Sequence, residues 1–147
     1  MKSKPFSVLL VLLQTAGCIA LLWLGWSGIR ACPWLWIGVF AGAAIMVSGI
    51  LAIRISQLRM TPEPGAKAVL CRSGPYRFIR HPMYTGLLLA FGMFALAEGG
   101  WAGSLTWLGL FAVLWIKLQI EERHWLARDP EYAAYQRETK RLVPWVF

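Results

Sequence analysis

Four apolar stretches, three of them close to the length of a bilayer crossing, constrain this chain more than any other feature. A helix needs about 20 consecutive mostly apolar residues to cross the hydrocarbon core of a membrane. The first stretch runs from Pro5 to Gly28 and carries no charge, its interruptions including the uncharged Gln14, Thr15 and Ser27. The second runs from Pro33 to Ile53 and is rich in small residues, with Gly38 and Gly42 spaced as a small-xxx-small pair that allows close helix packing. The third, Pro82 to Ala97, is short for a full crossing, so it is expected to tilt, bend or sit partly buried among its neighbours. The fourth runs from Trp101 to Ile120, and Glu98-Gly99-Gly100 joins it to the third as a tight helical hairpin. The expected fold class is therefore all-α: one polytopic membrane domain over residues 1–147. It has about four transmembrane helices (5–28, 33–53, 82–97, 101–120), a cytoplasmic middle loop, and a C-terminal helical tail over 121–147.

Composition excludes several function classes. Hydrophobic residues make up 58% of the chain and charged ones 15%, which rules out a disordered segment. The formal net charge of +8 does not point to nucleic acid, because the apolar runs are too long for one small soluble core. Nine Trp suit a chain that lives at a membrane boundary. Cys18, Cys32 and Cys71 make an odd count without metal-ligand or disulfide spacing, so no metal site is expected. TAGC around Cys18 resembles a lipoprotein cleavage site, but the apolar run continues past it, and the segment reads as a retained span.

The basic residues orient the spans. Lys2 and Lys4 precede the first; Arg54, Arg59, Lys67, Arg72, Arg77 and Arg80 lie between the second and third; Lys117, Arg123, Arg128, Arg137, Lys140 and Arg141 lie at or after the end of the fourth. Only Arg30 falls on the other side. The positive-inside rule then puts both termini and the middle loop in the cytoplasm, in the inner membrane if the source is bacterial. Pro62, Pro64, Gly65, Gly74 and Pro75 prevent that loop from being one helix. In the tail, Pro130 is expected to break a first helix and Pro144 to end a second, the whole lying on the membrane face as an amphipathic piece.

Three clusters carry possible chemistry. In Gly74-Pro75-Tyr76-Arg77-Phe78-Ile79-Arg80-His81-Pro82-Met83-Tyr84-Thr85-Gly86, Pro82 fits the first turn of a helix, with His81 at its start and Tyr84 about a turn later. A helix start offers free N–H groups suited to a carboxylate or phosphate; the bland alternative is an Arg/Tyr interfacial anchor. At the end of the fourth span, Lys117, Glu121 and His124 share one helical face, with Glu122 beside it. The bland alternative there is a snorkelling Lys with surface salt bridges, although paired carboxylates near lipid are costly unless matched. Last come Tyr132-x-x-Tyr135 and the downstream Arg137 and Arg141, which could cap a pocket or simply line a surface helix.

Taken in order, GPYRFIRHPMYTG, then EERHW at a span end, then YxxY and RLVP, the C-terminal half from about Val69 to Val146 resembles the isoprenylcysteine carboxyl methyltransferase and phospholipid methyltransferase superfamily of integral membrane enzymes. The resemblance implies S-adenosylmethionine as cofactor, held at the cytoplasmic membrane boundary. It implies that Tyr76, Arg80, His81, Pro82, Tyr84, Gly86, Glu121, Glu122, Tyr132 and Tyr135 contact that cofactor. Lys117, Glu121 and Arg141 would serve the reacting centre, with Lys117 near where relatives often carry an Arg. Asp129-Pro130 departs from the aromatic-Gly pair usual in relatives. The implied activity is methyl transfer to a lipophilic or small acceptor: an isoprenylcysteine-type carboxylate, a phospholipid amine or a thiol. Such a transfer needs acceptor, methyl and sulfur held in line with water excluded, which an apolar helical cage can provide. The partners expected are the lipid bilayer and that acceptor, not nucleic acid; oligomeric state is left open. The competing classes are an NADPH-dependent membrane reductase of the sterol reductase type, usually a much longer chain, and a four-span transporter or assembly protein. No acid falls inside a span, which counts against transport.

Overall fold

A computed structural model describes residues 4–53, 61 and 69–144. Lys2, Arg54, Arg59, Pro62, Pro64, Gly65 and Lys67, on which the orientation and loop expectations partly rest, lie outside the described residues. Among the described residues, five α-helices occur in the order α1 (Lys4–Ala31), α2 (Leu35–Ala52), α3 (Pro82–Glu98), α4 (Trp101–Arg128) and α5 (Tyr132–Glu138), with a short 3-10 turn at Gly74–Arg77 before α3. The protein is all-helical and integral to the membrane, as its apolar runs require. α1, α2 and α4 are each long and apolar enough to cross a bilayer, and α3 is the shorter apolar helix.

Each boundary follows from local chemistry. Pro33 separates α1 from α2, where Leu35 N–H reaches back to the Cys32 carbonyl at 3.0 Å. Pro82 opens α3 at a position whose N–H would be unpaired anyway. Gly99, at φ 73°, ends α3 in the left-handed conformation that glycine adopts without strain. Glu98 then turns its carboxylate onto the start of α4, accepting from Gly100 N–H at 2.8 Å and Gly103 N–H at 2.9 Å. Negative charge at a helix start opposes the positive end of the helix dipole.

α3 is the central rod. It packs most extensively on α2 and also touches α1 and α4, while α1 packs on α4. The Gly38–Gly42 expectation holds: Gly42 lies backbone-to-backbone against Gly86 of α3, and Gly38 against Met93. A Cβ on Gly86 would sit 2.3 Å from the Gly42 carbonyl oxygen, so this contact admits nothing larger than hydrogen. Without a hydrophobic driving force between helices in lipid, close backbone approach of this kind supplies the packing. Leu21, Ile29, Leu88, Phe94, Leu110, Leu114 and Leu118 fill the bundle interior. Trp23, Ile37, Leu51 and Trp101 are 73–80% exposed on the outside. An apolar exterior of that extent belongs against lipid.

α4 runs on past the fourth apolar stretch, unbroken to Arg128, and so carries the face shared by Lys117, Glu121 and His124. Asp129 leaves the helix in extended conformation just before Pro130. The second tail helix is not ended by Pro144: α5 stops at Glu138, and Thr139 is already extended. The residues after it are captured by the loop before α3.

Candidate active site at the loop, tail and α4 end

The segment before α3 and the segment after α5 form a short two-strand clasp. Ile79 and Lys140 make a parallel bridge. Arg80 N–H donates to the Lys140 carbonyl at 2.8 Å, His81 N–H to the Arg141 carbonyl at 3.1 Å, and Lys140 N–H to the Phe78 carbonyl at 3.0 Å. Thr85 of α3 donates its hydroxyl to the Leu142 carbonyl at 2.7 Å. Tyr135 of α5 donates to the Tyr76 carbonyl at 2.7 Å, tying the tail helix to the 3-10 turn.

Arg80 and Glu122 sit at the centre of this clasp. Arg80 Nε donates to Glu122 Oε1 at 2.7 Å, and the two side chains are 7% and 5% exposed. The same guanidinium donates to the carbonyls of Gln136 and Thr139. Arg141 Nε approaches Glu122 Oε2 at 3.3 Å, and Gln136 Nε2 donates to the same oxygen at 3.3 Å. A buried carboxylate is tolerated when its lone pairs are filled in this way. Three segments far apart in sequence are thus pinned by one ion pair.

His81 lies between the two carboxylates. Its Nε2 is 3.4 Å from Glu122 Oε1 and its Nδ1 is 3.8 Å from Glu121 Oε2. The imidazole is 5% exposed and stacks flat on Tyr84, centroids 5.4 Å apart. Its Nε2 is buried and has no well-formed hydrogen bond among the described residues. Glu121 is the more open carboxylate, 31% exposed, and accepts from the Tyr84 hydroxyl at 3.3 Å.

Lys117 lies one turn below Glu121 on α4, about 6 Å along the axis. It is 2% exposed, donates to Gln14 Oε1 of α1 and lies 5.6 Å above the Tyr84 ring. The shared face of Lys117 and Glu121 therefore points into the bundle, not toward headgroups. Arg141, 37% exposed, also stands 5.2 Å over Trp115, the last of the stacked series Trp107, Phe111 and Trp115 on α4.

The sequence candidates thus divide. His81, Tyr84, Lys117, Glu121, Glu122, Arg80 and Arg141 are brought together. Pro82 and Gly86 are buried on the opposite side of α3, against Gly49 and Gly42 of α2. Tyr132 and Tyr135 are buried between α4 and the loop, Tyr132 stacking on Trp125. Burial pushes the phenols of Tyr76, Tyr132 and Tyr135 well above their ordinary range, helped at Tyr76 by the charge of Glu121. All three are neutral hydrogen-bonding groups. Sequence reasoning missed Gln14, Gln136 and Thr139. Gln14 was visible as the one amide within the first span, whereas Gln136 and Thr139 carried no signal.

The model of the family described as Phospholipid methyltransferase matches residues 36–129, from α2 to just past α4. The chain is also 29% identical, over 136 residues, to the methanethiol S-methyltransferase of Mycobacterium tuberculosis. That alignment covers 90% of this chain but 51% of the relative, so the chain spans about half the length of that curated protein. No solved structure gives a significant match. With more than half of its residues matched, including the loop, α3 and the Glu121–Glu122 pair, the chain belongs to the phospholipid methyltransferase family of integral membrane methyltransferases.

Proposed function

We propose that the protein transfers a methyl group from S-adenosylmethionine to a lipophilic or small acceptor, at the end of the bundle where α4 meets the clasp. The observation that carries this reading is the position of His81 between Glu121 and Glu122, with a buried ring nitrogen that makes no well-formed hydrogen bond among the described residues. An unpaired buried polar atom is costly, and it invites a ligand that completes it.

The residues fit the group. Glu121, partly open, suits the cationic amino group or sulfonium. Arg141, 37% exposed, suits the carboxylate end. Tyr84 and Trp115 offer aromatic faces beside them. The bound donor supplies a methyl group on a positive sulfur. The chain's own part is to orient the two reactants and exclude water. Glu122 and Arg80 act indirectly in this reading, since each is filled by protein partners; they hold the loop and tail in register.

The acceptor classes weighed are an isoprenylcysteine-type carboxylate, a phospholipid amine and a thiol. The family description names phospholipids, and the mycobacterial relative is named for methanethiol. We place the clasp in the cytoplasm. Arg72, Arg77, Arg80, Arg123, Arg128, Arg137, Lys140 and Arg141 gather at this end of the bundle, while Arg30 lies at the other. That asymmetry is the positive-inside pattern.

Calorimetry on the purified chain tests the reading. S-adenosylmethionine or its demethylated product should bind, and NADPH should not compete. His81→Ala and Glu121→Gln should each weaken that binding about tenfold or more, as expected for a lost charge-assisted hydrogen bond. Binding unchanged in both variants would remove these residues from the site. A methyl-transfer screen over lipid extracts, prenylated cysteine analogues and small thiols would then name the acceptor.

A further inference from the structure

Gln14 lies on α1, outside the stretch matched to the family, and the function proposed above does not use it. It is nevertheless the hydrogen-bond acceptor for a buried cation. Lys117 Nζ contacts the Gln14 amide oxygen and the face of Tyr84, both uncharged. Among the described residues no carboxylate comes within 4 Å of it: Glu121 and Glu122 make their close approaches to His81, Arg80 and Arg141 instead. An ammonium carries three donors and a full charge, and one amide oxygen with one ring face does not match them. Glu121, one turn away, acts on this charge only at longer range, and burying an ammonium without a direct ion pair is costly.

We propose that Gln14 is a positioning residue that fixes the Lys117 ammonium beside Tyr84, and that the pair selects an acceptor that reacts as an anion on an apolar body, a thiolate or a carboxylate. The inference rests on the methyl-transfer reading and narrows its acceptor. Lys117 stands one turn below Glu121 and touches α1 through Gln14 and α3 through Tyr84, so an acceptor entering between these helices from the lipid would meet the ammonium before Glu121. A protonated amine would be repelled there, and a neutral one would gain nothing. An anion would supply the missing counter-charge and have its reacting atom held near the rim. The balance is simple. The acid's proton has gone to solvent before transfer. The acceptor's sulfur or oxygen bonds to the methyl carbon, the carbon–sulfonium bond breaks, and its electron pair returns to sulfur. No proton of Lys117 is needed for this balance. Because Gln14 stands on α1, the helix without a family signature would set acceptor choice, and α3, α4 and the clasp would serve the donor.

The test compares hexanethiol, hexanoate and hexylamine on the full chain in detergent. Wild type should methylate the thiol or the carboxylate at least tenfold better than the amine, and the two anionic arms identify which. Gln14→Leu should raise KM for the favoured anion about tenfold, leave calorimetric affinity for the demethylated cofactor within twofold, and narrow the preference over the amine. Gln14→Glu, which places a carboxylate on the ammonium, should erase that preference. Lys117→Arg should retain more of it than Lys117→Met. Independently of turnover, hexanoate binding to the cofactor-free protein, followed by tryptophan fluorescence, should weaken in both Gln14→Leu and Lys117→Met. Preferred transfer to the amine, or Gln14→Leu with unchanged KM and unchanged hexanoate binding, would overturn the proposal. Loss of cofactor binding in the wild type would instead sink the methyl-transfer reading, and the hexanoate titration would still decide the role of Gln14.

Discussion

The α2–α3 interface and the clasp at the end of α4 are held together in opposite ways. The first is made by the absence of side chains: Gly42 and Gly86 put two backbones in contact, and Gly49 admits Pro82 and Met83. The second is made by long charged and polar side chains meeting over large sequence separations, with Arg80 and Glu122 at its centre. Lipid explains the difference. Within the bilayer close fit is what holds helices together, whereas at the boundary charges can be used if every one is matched. The same helix, α3, takes part in both. Its Gly86 side packs against α2, and its His81–Tyr84 side faces Glu121 and Glu122.

Substitutions can break or sharpen that contrast. The largest effect is expected from Glu122→Ala, which strands the buried Arg80 guanidinium; losing one partner of such a pair costs about 3–5 kcal/mol. If the regions are separable, limited proteolysis should cut the tail after α5 while near-ultraviolet dichroism of the helical bundle persists. Gly86→Val should show the reverse pattern: overpacking costs about 1–3 kcal/mol, lowers the unfolding midpoint in detergent, and first loosens α2. If both variants lose tail and bundle together, the contrast is false.

Tyr135→Phe is expected to be milder, about 1 kcal/mol for the hydrogen bond to the Tyr76 carbonyl. It also carries a pH signature. Because burial raises the folded-state pKa of Tyr135 above its ordinary value near 10, its contribution is full below that pH and fades as pH rises further. Tail docking should therefore weaken above about pH 10, less steeply in Tyr135→Phe. Arg72→Ala should be nearly silent in melting experiments, at most about 0.5 kcal/mol, since its pair with Glu131 is 40% and 76% exposed.

The contrast also explains what could be read from the chain alone. The spans, the hairpin at Gly99 and the start of α3 at Pro82 were legible, because each depends on a local run or a single special residue. The nearness of His81 to the Glu pair was implied by the family resemblance alone. Saturation of Glu122 was not legible: its partners Arg80, Gln136 and Arg141 come from three segments, and nothing local says that they meet. The end of α5 was misread for the same reason. Pro144 is the local stop signal, but pairing of Lys140 with Phe78 and Arg80 takes the chain out of the helix earlier. Gln14 read as a blemish in a greasy run, since only the arrangement of α1 against α4 shows what it faces.

The clasp has a temporal consequence. Its two edges are made at different moments of synthesis, the Phe78–His81 edge before α3 and α4 and the Lys140–Leu142 edge after them. A nascent chain with all four membrane helices already inserted still has an open, unpaired rim. The clasp, and any site that depends on it, can close only once residues 140–142 have left the ribosome.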